Sequence, residues 1–331
     1  MTKKDVGLLI LILVVGAVVA IINPRFLLPI NIANTANLVG LFGILGIGEA
    51  LVIITGGIEL SVGSLIALFG VLFVDFITNR DVPWPLAFAL MIFFGGMVGW
   101  AHGFLITRLK IQPFVVTLCG LLIYRGVARF YTGDGTAGFG FGVSFPDLEW
   151  LTTARVFGVP NAFSAFVVIG IIMWIVLHRS VFGRYLYAIG KNEEAARYSG
   201  IRTHVHITAA YVICGALAAL SAIYFAMYTR SISPASHGNF YELYAIAASV
   251  LGGFSLRGGE GSIIGVALGT ILLQELQNLV NLLGIPSSLN FAVMGGVILI
   301  GVLVDQQYGA FRARRLHLVA AGQKRGVVAG G

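Results

Sequence analysis

The feature that most constrains this chain is a near-continuous succession of apolar runs separated by short polar turns. A spanning helix needs about 20 mainly apolar residues. It must also satisfy its own backbone hydrogen bonds, because lipid offers none. Ten stretches read as such helices. Hydrophobic residues make up 58% of the 331 and charged residues only 11%, where a soluble domain carries about 25%. No polar half remains to build a second soluble domain. The expected fold is therefore an all-α integral membrane protein with one transmembrane domain over residues 1–331. Its membrane core covers 6–304, a cytoplasmic loop 178–206 and a cytoplasmic tail 305–331.

In chain order, the expected helices cover 6–22, 31–55, 60–78, 84–109, 114–131, 162–177, 207–227, 241–251, 262–282 and 289–304. The first resembles a signal peptide, but its apolar run is too long and no small-x-small cleavage site precedes Pro24, so it reads as a retained helix. With both termini inside, Arg25, Arg80, Arg155 and Arg230 fall outside and Arg125 and Arg129 within the fifth helix. The remaining fifteen of the 21 Lys and Arg are then cytoplasmic, as the positive-inside rule requires. Cys119 and Cys214 sit in apolar runs without metal-type spacing and read as small core residues. The basic residues are spread over loops and form no stripe, which excludes a nucleic-acid partner.

The polar exception is the loop from His178 to His206, and within it Ala188–Ile201. Asn192 is placed to cap a short helix, Glu193 and Glu194 stand in its first turn, Arg197 in its last, and Gly200 is a C′ stop. Two turns of helix are not stable alone in water, so this one needs a surface to lie against. Its pattern A-x-G-x-N-x-x-A-A-x-x-S-G-I, carried by Ala188, Gly190, Asn192, Ala195, Ala196, Ser199, Gly200 and Ile201, resembles the cytoplasmic coupling segment of the permease subunits of bacterial ABC importers. The resemblance is to the ribose-type monosaccharide family, within the branched-chain amino acid and monosaccharide permease superfamily. An amphipathic connector is the plainer reading of the same residues.

Other segments extend the resemblance over about Asn37 to Gly301. The turn Gly56-Gly57-Ile58-Glu59-Leu60-Ser61-Val62-Gly63-Ser64 is similar to a family signature in which Asp is usual at the Glu59 position. Ser61 and Ser64 are expected to cap the following helix. Glu59 reads either as an acid at a helix N-terminus or as a gating residue, together with Gly57, Ser61 and Gly63. His102 stands where the family has Asn and is expected to hydrogen-bond a neighbouring helix. Arg125 is an intramembrane charge that either faces a watery path or snorkels outward. The run Tyr241–Gly259 also resembles the family pattern; Tyr244 replaces a usual Asp and Glu242 remains as the acid. Its two Gly-Gly pairs break the helix and are expected to be buried, since open backbone at membrane depth must be covered by protein or line a cavity. Gly95, Gly99 and Gly103 read as a close-packing stripe.

The resemblance implies a permease of an ATP-driven importer for a monosaccharide, a pentose, hexose or related polyol, in the bacterial cytoplasmic membrane. Two permease copies, identical or related, would form the path. Cytoplasmic ATPase subunits would dock at Gly190, Asn192, Ala195, Ala196, Ser199 and Gly200, and an external sugar-binding protein would deliver substrate. Polar residues on an apolar path are the candidates to meet a sugar: Asn37, Glu49, Arg125, Glu242, Asn278 and Asn290. The chain has no G-x-x-x-x-G-K-[ST] sequence, so ATP and Mg²⁺ belong to the partner subunit and this chain is expected to bind no cofactor. The glycine-rich stretch Gly133–Gly142 follows no strand and does not read as a nucleotide loop. No metal motif and no acid–base or nucleophile set points to an enzyme. The alternative is a proton-coupled secondary sugar transporter acting alone, using Glu49, Glu59, Arg125 and Glu242.

Overall fold

Two long helices carry the interior of the protein. In the computed structural model, α2 (Pro29–Ile53) and α10 (Thr203–Thr229) have most of their residues buried. They are tied directly: the Ser221 hydroxyl of α10 donates to the Leu41 carbonyl of α2 at 2.9 Å. The structure describes residues 3–286, with Leu289, Ala292, Gly295, Gly296 and Leu299. The tenth expected helix and the tail lie largely outside the described residues. Residues 1–283 form one compact unit and 284–331 a second.

Around this pair stand α1 (Lys3–Ile22), α4 (Trp84–Thr107), α5 (Pro113–Thr132), α7 (Asn161–Arg179) and α12 (Ile263–Leu282). Most of α1 and α7 is exposed, whereas most of α2 is buried. Exposed residues such as Ile21, Phe93, Leu122, Phe130 and Ile171 give these outer helices an apolar exterior suited to lipid. The glycine stripe of α4 lies on α10 as expected. A Cβ at Gly95 would strike the Gly215 carbonyl, at Gly99 the Tyr211 carbonyl, and at Gly103 the Thr208 backbone.

Among the described residues seven helices are long and apolar enough to cross a membrane. Two of the ten expected spans are shorter. α3 (Val62–Thr78) has 17 residues and α11 (Tyr241–Leu251) has 11. Each follows a non-helical stretch after a long central helix, α3 after α2 and α11 after α10. The N-termini of the two short helices meet: a Cβ on Gly63 would strike the Gly238 carbonyl, and one on Gly238 the Gly63 carbonyl.

The polar loop is mostly helical. α7 runs to Arg179 and α10 begins at Thr203, leaving α8 (Val181–Lys191) and α9 (Glu193–Tyr198) between them. α8 escaped the sequence reading because its apolar positions, Gly183, Leu186 and Ile189, form a stripe rather than a run. The segment 132–161, between the fifth and sixth expected helices, holds α6 (Pro146–Thr152) and three short strands. β1 (Ala137–Gly138) pairs antiparallel with β4 (Ser231–Ile232), and β2 (Arg155–Val156) with β3 (Val159–Pro160).

Candidate functional site

The segment α8–α9 is built as its residues dictate. The Ser180 hydroxyl accepts from Gly183 N at 3.1 Å and starts α8. The inward stripe of α8 then packs against the end of α7 and the interior cluster around Ile53, Ile54 and Ile263. Tyr187 donates its hydroxyl to the Gly261 carbonyl at 2.8 Å, and burial pushes its pKa up to about 12. At the end of α8, Gly190 lies against the Ile54 carbonyl and Gly259 with no room for a side chain. Gly258 (φ +83°) and Gly259 (φ +72°) make the left-handed turn that brings the α11–α12 connection there. Lys191 and Glu260 pair at the rim, 2.5 Å apart.

α9 follows the expected punctuation. The Asn192 side chain accepts from Ala195 N at 2.9 Å, Gly200 takes φ +86°, and the Glu193 carboxylate accepts from the Thr203 hydroxyl at 3.1 Å. Ala196 is buried against its own chain, so of the residues expected to meet a partner it offers no exposed surface. Glu194, Ala195, Arg197, Tyr198, Ser199 and Gly200 are exposed, and Tyr198 stands out at 84%.

The turn between α2 and α3 holds a buried polar cluster. Glu59 N donates to Glu49 Oε1 at 3.0 Å, and Ser61 N donates to Glu59 Oε1 at 2.8 Å. Glu59 Oε2 lies 2.6 Å from His102 Nδ1, and His102 Nε2 lies 2.8 Å from the Tyr124 hydroxyl. A carboxylate opposite Nδ1 favours the Nδ1–H tautomer, leaving Nε2 to accept from Tyr124. Tyr211 donates to the Ile58 carbonyl at 3.2 Å, and its hydroxyl occupies the place a Gly57 side chain would need. The expected cap is corrected. Ser61 has helical dihedrals and makes no side-chain cap, Ser64 donates to the Ser61 carbonyl, and the Glu59 carboxylate satisfies the free N–H of Ser61.

The path candidates separate. Glu49 is fully buried beside Glu59, with Oε2 unpartnered among the described residues. Glu242 lies in the first turn of α11 against Gly63. Arg125 is half-buried, and its Nη1 donates to the Pro234 carbonyl at 2.8 Å and the His237 carbonyl at 2.5 Å. Asn278 on α12 donates to Asn31 at 3.0 Å and to the Thr35 hydroxyl, both on α2. Asn37 is buried with Nδ2 unpartnered among the described residues. Asn290 lies outside the described residues. Sequence reasoning missed Tyr124 and Tyr211 as members of this cluster; a tyrosine hydroxyl within an apolar run needs a partner, which was the available signal. Cys119 is exposed on α5 and Cys214 buried on α10, both free thiols.

The family described as branched-chain amino acid transport system / permease component matches residues 31–303. The ribose import permease protein RbsC of Bacillus subtilis (strain 168) is 39% identical over 304 residues, covering 92% of each chain. RbsC of Escherichia coli (strain K12) is 38% identical over 299 residues, 90% of this chain and 92% of its own. The galactofuranose transporter permease protein YtfT of the same strain is 33% identical over 279 residues, 84% and 80% of the two chains. No solved structure matches.

Proposed function

The chain belongs to the branched-chain amino acid transport system / permease component family, and from that premise we propose that it is the membrane permease of an ATP-driven importer for a monosaccharide. The names of its relatives support the substrate class, a pentose or hexose. The observation that carries the ATP-driven part is α8–α9, a capped helical segment exposed on one side and seated on the ends of α2 and the α11–α12 connection on the other. A carrier working alone has no need of such a surface, so the proton-coupled alternative is not favoured.

The exposed side, with Ala195, Tyr198, Ser199 and Gly200, receives a cytoplasmic ATPase subunit, which supplies the ATP and Mg²⁺ chemistry. The same end carries Arg108, Lys110, Arg179, Arg184, Lys191, Arg197 and Arg202, which supports placing it in the cytoplasm of a bacterial inner membrane. A second permease copy completes the path, and an external sugar-binding protein docks at the opposite end. Asn37, Glu49, Glu242 and Asn278 are the polar residues nearest such a path, with Asn290 beyond the described residues. ATP on one side and loaded binding protein on the other shift the population between outward- and inward-open states.

Mild-detergent purification of the tagged chain from its native membrane, with mass spectrometry, tests this. Recovery of a P-loop ATPase in comparable amount, and ribose uptake that ATP depletion abolishes, is expected. A folded chain that repeatedly purifies alone, with uptake lost to an uncoupler but not to ATP depletion, would return the proton-coupled reading.

A further inference from the structure

α5 is the most exposed of the long helices near the two breaks, and its middle carries Tyr124 and Arg125 side by side. The two residues reach opposite breaks. Tyr124 bonds His102 of α4, which bonds Glu59 in the α2–α3 break. Arg125 donates to the Pro234 and His237 carbonyls in the α10–α11 break. The breaks touch each other at Gly63 and Gly238, backbone to backbone. The contacts therefore close a ring from α5 through His102 and Glu59 to Gly63, across to Gly238, and back through Arg125. An arginine in an apolar helix is costly unless its donors are used, and here Nη1 is used on two main-chain carbonyls outside any helix.

We propose that Tyr124 and Arg125 are positioning residues that make α5 a strap holding the two broken helices at one spacing, so that both breaks move as a unit when the permease changes state. In a closed ring, loosening one link is felt at the next, because the two breaks bear on each other at Gly63 and Gly238. The strap acts through Glu59 and the 234–238 turn and needs no contact with the sugar. Its role in transport rests on the permease reading above; its existence as a mechanical ring does not.

The test is hydrogen exchange by mass spectrometry on the full chain in lipid nanodiscs, comparing wild type with Tyr124→Phe and Arg125→Met. Tyr124→Phe keeps the aromatic side chain and removes only the hydroxyl that bonds His102. It is expected to speed exchange at least several-fold in both 56–64 and 234–240, although Tyr124 reaches only the first, through His102. Arg125→Met is expected to do the same from the other side. Acceleration confined to the segment each residue touches overturns the ring. If Arg125→Met fails to insert, Tyr124→Phe alone decides. In ribose uptake with the intact transporter, both variants are expected to lower the maximal rate about tenfold with little change in apparent KM, and the double variant to be no worse than the poorer single one. A raised KM at unchanged maximal rate, or losses that multiply, overturns the positioning role. Wild-type chain that imports no sugar fails the permease reading and leaves the exchange result standing.

Discussion

The Ile54 carbonyl accepts a hydrogen bond from Gly259 N at 2.8 Å, and Gly190 sits against both. Three segments far apart in sequence thus meet at one point: the end of α2, the α11–α12 connection and the end of α8. A push on α8–α9 is passed directly to the backbone where α2 ends and the Glu59 turn begins. Glycine at 190 is required because a Cβ there would strike main chain, which cannot rotate away. Gly190→Leu is expected to displace α8 at a local cost of roughly 1–3 kcal/mol and to lose ATPase recovery while the chain still inserts. Co-purification yield at equal membrane content is the measurement.

Ala195 and Ala196 are neighbours with opposite fates. Ala195 is exposed and Ala196 buried in its own chain. Ala195→Arg is expected to weaken ATPase association and leave thermal stability within about 0.5 kcal/mol. Ala196→Phe is expected to loosen α9 itself and speed hydrogen exchange over 193–199. Equal behaviour of the two variants would remove the assignment of an outward docking face.

Glu59 and His102 are each 3% exposed and 2.6 Å apart. Breaking such a buried pair from one side costs roughly 3–5 kcal/mol, because the remaining group keeps its burial without its partner. His102→Leu is therefore expected to lower the melting temperature sharply. Glu59→Gln retains an acceptor for Ser61 N and is expected to spare assembly but reduce uptake. Unchanged uptake in Glu59→Gln would make the acid a structural cap alone.

Two glycines test the packing account. Gly99 faces the Tyr211 carbonyl of α10, whereas Gly126 of α5 has nothing within 4 Å of the place a Cβ would take. Gly99→Val is expected to give aggregated protein on size exclusion. Gly126→Ala is expected to be neutral or stabilising by up to about 1 kcal/mol, from helix propensity.

Glu149 in α6 gives a pH dependence outside the spans. Burial works to raise its pKa, but the Phe145 N–H, the Arg230 guanidinium and the Ser144 hydroxyl outweigh it and hold the carboxyl below its usual range. A lowered folded-state pKa stabilises above the unfolded value, and that contribution is lost as pH falls through the folded one. The Arg230–Glu149 pair is partly exposed, so the effect is expected to stay under about 1 kcal/mol. Fluorescence of neighbouring Trp150 on acidification should report the loosening, and Glu149→Gln should abolish its pH dependence.

The class of fold was legible because lipid leaves little choice. A run such as Asn161–Arg179 must be helical wherever it sits. The Asn192 cap and the Gly200 stop were equally legible, since capping depends on residues within one turn. The glycine stripe of α4 announced a close partner, though not that the partner was α10. α8 was less visible, because an amphipathic helix has no apolar run to mark it.

What the sequence determined by itself was everything local: apolar length, caps, glycine breaks and the charge bias of the loops. What only the tertiary structure decided was which polar groups meet. Tyr124 and Arg125 are adjacent in sequence, yet their partners lie 22 residues away at His102 and 109 and 112 residues away at Pro234 and His237. Local propensity carries no information over such separations. The pairings follow from helices packing so that most buried donors find an acceptor, because leaving one unmet in this interior is costly.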